Sequence, residues 1–175
     1  MRLVVATFVA AIFAAPAGAA DIENVRSLDL AVRGSIPERC AMGSIGNMDF
    51  GDLNRTGLGA QARVRLDCNI PFNMSIRARN GSLAHSDLPA GQGPYSGTLP
   101  YTIGVMMPVR RPQSAVIERS FESRELRGNG RTISSEGGIA VDGLALSVSL
   151  GRPSGEAGLL AGEYGETIEI TITPS

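Results

Sequence analysis

Apolar and polar residues alternate one for one in four separate runs of this chain, and no other feature narrows its fold so far. In 61–68 the set Ala62, Val64, Leu66, Cys68 alternates with Gln61, Arg63, Arg65, Asp67. In 72–79 Phe72, Met74, Ile76 and Ala78 alternate with Asn73, Ser75, Arg77 and Arg79. Leu144, Leu146, Val148 and Leu150 alternate with Ala145, Ser147 and Ser149, and Ile168, Ile170 and Ile172 with Thr167, Glu169, Thr171 and Thr173. Successive side chains of a strand point to opposite faces, so each run predicts a strand with one face buried. The last run is predicted to turn Ile168, Ile170 and Ile172 to the core, because a one-residue slip would bury Glu169.

The segment 99–105 is a fifth candidate strand, with Pro100 marking a strand start or an edge. Weaker strands are expected at 48–50, 115–117, 121–126 and 139–141. Nowhere does an apolar set recur at helical spacing over three turns. The gaps are rich in turn formers: Asn69-Ile70-Pro71 at a hairpin-like distance, Asn80-Gly81, Asn129-Gly130, and two longer loops at 82–97 and 151–162. Short strands and frequent turns predict an all-β, two-sheet sandwich of immunoglobulin-like type.

The first twenty residues read as a signal peptide rather than as part of the fold. Arg2 supplies a positive start and 3–15 is apolar apart from Thr7. Ala17-Gly18-Ala19 supplies the small residues of a cleavage site, after Ala19 or Ala20. As a membrane anchor the run falls short of the ~20 apolar residues a spanning helix needs. Without it, about 155 of the 175 residues remain, the size of one domain. Every basic residue is Arg, and the formal net charge is −1. That balance argues against a nucleic-acid or anionic-membrane partner, and no membrane insertion is expected because no later stretch could span a bilayer.

In an exported chain the two cysteines, Cys40 and Cys68, predict one disulfide. It stabilises by roughly 3–4 kcal/mol in the chain-entropy picture. A metal pair would need further ligands at short spacing, and the sole histidine is His85.

Catalytic patterns fail on geometry. Adjacent residues such as His85-Ser86-Asp87 cannot converge on one atom as a triad must, and a surface turn is expected there. Gly43-Ser44-Ile45-Gly46 lacks the spacing of a nucleophile elbow. Glu163, Glu166 and Glu169 read as solvated edge charges. Arg63, Arg65, Arg77 and Arg79 would share one solvated face if their strands pair. Three glycosylation sequons begin at Asn54, Asn73 and Asn80, a pattern common by chance. The residues describe a non-enzyme without a cofactor or metal.

Three stretches together resemble the spore coat protein U-like domain, the pilin domain of archaic chaperone–usher pili. The first is the alternating Leu28-Asp29-Leu30-Ala31-Val32-Arg33-Gly34-Ser35-Ile36 ahead of Cys40. The second is Asp49-Phe50-Gly51-Asp52-Leu53, similar to the family's "FG" after its first cysteine, with Val64-Arg65-Leu66-Asp67-Cys68 at the second. The third is 158–168, where Gly162-Glu163-Tyr164-Gly165-Glu166-Thr167-Ile168 is similar to the family's entry into a final strand. Leu99-Pro100-Tyr101-Thr102-Ile103 corresponds to a central strand. The family's usual Trp-Gly segment has no counterpart, and Pro174 stands where many pilins carry an aromatic.

The resemblance implies a sandwich lacking its last strand, with an open groove that a periplasmic chaperone covers first. An outer-membrane usher then exchanges the chaperone for the N-terminal extension of another pilin subunit, which adds as a strand. The implied organisation is a signal peptide over 1–20, a donor-strand-like extension over 21–33 and a pilin domain over 34–175. The donor residues would be Ile22, Leu28, Leu30 and Val32, received in a groove beside Ile168, Ile170 and Ile172. The implied location is the cell surface or a pilus, reached through the periplasm. A different class stays open beside it, a self-contained secreted β-sandwich that binds a ligand or protein without polymerising.

Overall fold

The computed structural model describes residues 29–175; the signal peptide expected over 1–20, Ile22 and Leu28 lie outside the described residues. Ile36–Ser175 form one compact unit. Strand β1 is Cys40–Met42, β2 Gly59–Val64, β3 Leu66–Cys68, β4 Phe72–Ala78, β5 Leu83–His85 and β6 Thr98–Leu99. There follow β7 Tyr101–Arg110, β8 Ser114–Glu122, β9 Arg131–Ser134, β10 Leu144–Leu150, β11 Tyr164–Gly165 and β12 Ile168–Pro174. The fold is all-β, and every strand pair is antiparallel.

Two larger sheets, β2-β10-β7-β8 and β12-β4-β9, are joined by the smaller β11-β5-β6 and by the pair β1-β3. The inner rows of the larger sheets meet in one core. Phe72, Met74 and Ile76 of β4 and Met107 of β7 are completely buried there, with Ile103, Val105, Leu144 and Leu146 nearly so. These rows are the alternating apolar sets of the sequence, and each such side chain contributes about 1.5–3 kcal/mol on burial.

Strand neighbours depart from the sequence reading in four places. The run 61–68 is unbroken in its alternation, yet the chain changes sheets at Arg65: β2 pairs with β10 and β3 with β1. Such a switch lets one strand serve both layers of a sandwich corner. The turn at Asn69-Ile70-Pro71 closes no hairpin, because β4 pairs with β12 and β9 instead of β3. For the same reason the four arginines share no face, since β2 and β4 are not neighbours; Arg77 stands opposite Glu169 of β12. Neither Asn-Gly dipeptide makes a two-residue hairpin. Gly81 and Gly130 take positive φ of 76° and 69°, but neither asparagine does, and the type I′ turn that Asn-Gly favours needs two such residues.

The weaker strands are resolved individually. Pro100, with no N–H to donate, separates β6 from β7. The strand expected at 121–126 stops at Glu122 and gives way to a 3-10 turn, Ser123–Leu126, capped by Glu125, whose carboxylate accepts the Glu122 N–H at 2.9 Å. That bond and then Arg131 hold the Glu125 carboxyl below its usual range. Residues 48–50 form no strand; Met48, Phe50 and Leu53 pack against the core from a loop. At 139–141 there are only single bridges, Ile139 with Arg110 and Ala140 with Cys68. The loop expected over 82–97 begins with β5.

A candidate strand-accepting groove

Cys40 and Cys68 are joined by a disulfide at directly opposed positions of β1 and β3. The main chain of Cys68 turns the other way, exchanging both its hydrogen bonds with Ala140 at 2.7 and 3.1 Å. Cys68 is therefore tied covalently on one flank and by the ladder on the other. Arg39 adds a two-oxygen contact to Asp67 at 3.0 and 2.9 Å. Both groups are solvent-accessible, and such surface pairs contribute little.

Between the sheets lies an open groove of about 950 Å³. Its floor is Tyr101 and Ile103 of β7, Leu146 and Val148 of β10, and Leu83 of β5. Ile168 and Ile170 of β12 form one wall, and the loop 45–54 and segment 159–167 border the rest. Along β12 the isoleucines are half-buried while Glu169 and Thr171 are exposed. Ile172 is equally half-buried, opposite Met74. Among the outer strands of the two larger sheets, only β12 lines this groove, and among the described residues its sole partner is β4. A seven-residue edge that no described strand pairs thus runs beside a groove with an apolar floor and a mixed polar rim.

The approach to β12 is fixed by Glu166. Its carboxylate accepts the N–H groups of Asn80, Gly81 and Ser82 at 3.0, 2.7 and 3.1 Å, and that of Thr167 at 2.7 Å. This residue, expected among solvated edge charges, ties the entry of β12 to the turn after β4.

A second anchor holds the loop over 151–162. His85, expected in a surface turn, is buried in β5, where it pairs with Tyr164 of β11. Its Nδ1 accepts the N–H groups of Asp87 and Leu88 at 3.1 Å each, so Nε2 carries the proton and donates to Ala161 O at 3.1 Å. The Tyr164 ring meets it edge-on at 5.2 Å, and the Tyr164 hydroxyl lies within hydrogen-bond distance of Leu160 O and Ser96 O, 2.8 and 3.0 Å. Burial pushes the Tyr164 hydroxyl pKa up. Ser86 Oγ donates to Glu163 O rather than to the imidazole, so the three adjacent residues make no triad.

Tyr101 is nearly fully buried, and its hydroxyl has no hydrogen-bond partner among the described residues. Burial, and secondarily the charge of Glu166, raise its pKa well above the usual tyrosine value. Among the described residues no cluster of His, Cys, Asp or Glu has a metal-binding arrangement.

Of the residues implied as donors, Leu30 and Val32 are described, and they are 80% and 85% exposed. The floor residues Tyr101, Leu146 and Val148 carry no signal in the sequence beyond membership of a candidate strand, and Leu83 falls in a stretch expected to be loop. They are buried themselves, and what distinguishes them is that they border the groove with no described strand laid over them. The described residues form an all-β sandwich with an open inter-sheet groove beside a strand edge that none of them pairs. No family model matches it, nor does any curated protein or solved structure.

Proposed function

We propose that this chain is an exported structural subunit of a surface pilus or coat, assembled by strand exchange between copies or related subunits. The observation that carries the reading is the apolar-floored groove flanked by an edge of β12 that no described residue pairs. A strand laid there would pair with the backbone of β12 and present alternate side chains to Ile168, Ile170, Leu146 and Val148. The sequence supplies such a strand in Leu28, Leu30 and Val32. The described pair of them is exposed, and burying each would contribute about 1.5–3 kcal/mol. Exposed edges beside apolar grooves aggregate, which gives a reason for a periplasmic chaperone to cover this one and an outer-membrane usher to release it.

The test is assembly of the exported protein. The parent chain should form polymers visible by electron microscopy, and Leu30→Arg should leave folded monomers, because an unpaired Arg would be buried at each junction. A parent chain that stays monomeric while residues 28–32 fill its own groove would overturn the proposal and leave a self-contained binding module.

A further inference from the structure

β12 is not the only long edge of the sandwich. β8 spans nine residues at the rim of the four-stranded sheet, pairs only with β7 among the described residues, and exposes Val116 at 55%. Edges of that length recruit strands from other chains unless something prevents it. The register with β7 shows what stands in the way. Ala115, Ile117 and Phe121 lie opposite Val109, Met107 and Ile103, and the same inward row places Arg119 opposite buried Val105. A cation thus interrupts an apolar row on the core side of an edge strand.

Arg119 does not hang free. Its Nη2 lies 3.3 Å from Glu136 Oε1, while Arg111 Nη2 holds the other oxygen of the same carboxylate. Glu136 is the one non-glycine among the described residues with positive φ, 53°, and its N–H donates to Ser134 Oγ at 3.1 Å. A residue persists in that conformation only where its surroundings over-determine it. Two arginines and a serine do so here.

We infer that Arg119, Glu136 and Arg111 form an edge guard that stops β8 from adding a strand of another copy of this chain. A strand paired on β8 would lie about 4.8 Å away and cover the flank of the guanidinium, desolvating a half-exposed ion cluster with no compensating partner. Combined with the function proposed above, on which this clause alone rests, the guard removes β8 as a site competing with β12 for an added strand.

The test uses the exported full chain carrying Leu30→Arg, so that donor-strand assembly is disabled, with and without Arg119→Val. Valine completes the row between Ile117 and Phe121. The double variant should self-associate at least about tenfold more tightly than Leu30→Arg alone by sedimentation equilibrium, a difference of about 1.4 kcal/mol. Amide exchange in Ser114–Glu122 should slow in the associated form. Arg119→Lys in the same background keeps the inward charge and should behave as Leu30→Arg. If Arg119→Val does not fold, Arg119→Thr replaces it as the uncharged β-branched residue. Equal association with and without the arginine, or association without protection of β8, overturns the guard. Polymers of Leu30→Arg alone would instead sink the donor-strand reading, while the guard would still be read from the difference between the two proteins.

Discussion

Glu166 Oε2 accepts the Gly81 N–H at 2.7 Å, so the turn that follows β4 and the residue that precedes β12 by two positions are held together. Because the same carboxylate also takes the N–H groups of Asn80, Ser82 and Thr167, the groove wall begins at a fixed point. Glu166→Gln keeps the shape but replaces one accepting oxygen by a donor facing backbone donors. We expect a loss of about 1–3 kcal/mol in urea unfolding, with the isolated fold otherwise intact.

The disulfide links β1 to a strand whose other flank is already in the ladder. Cys40→Ser should lower stability by about 2–5 kcal/mol. Thiol counting on the unreduced, denatured parent should find no free cysteine; two free thiols would contradict the bond.

Ile170 is half-buried in the isolated domain, so Ile170→Ala should cost about 2 kcal/mol there, the low end for an isoleucine truncation. If a donor strand covers the groove, the same substitution should cost more in the assembled form. Comparing denaturant midpoints of monomer and polymer checks this.

The Tyr101 hydroxyl, buried without a partner, gains nothing from its oxygen. Tyr101→Phe should leave neutral-pH stability unchanged or raise it by up to about 1 kcal/mol. The sign with pH follows from the raised pKa. The folded state keeps the phenol proton that the unfolded chain loses above about pH 10, so the unfolded state then binds fewer protons and stability falls as pH rises. Tyr101→Phe should flatten that alkaline decline, and identical declines in both proteins would refute it.

Local alternation in the sequence determined which residues face inward, because the period of a strand is a property of the backbone alone. Phe72, Met74 and Ile76, and the split between Ile170 and Glu169, follow from it directly. The bond between Cys40 and Cys68 was legible too, from there being two cysteines and one histidine. Alternation carries no information about which strand lies beside which. Only the tertiary structure decided that 61–68 changes sheets at Arg65, that half-exposed Arg119 stands opposite Val105 and meets Glu136, and that His85 is buried against Tyr164. The groove belongs with these. Leu146 and Val148 look like any other inward pair in sequence, and they border the groove because long-range pairing covers the rest of the core and, among the described residues, leaves β12 hydrogen-bonded to β4 alone.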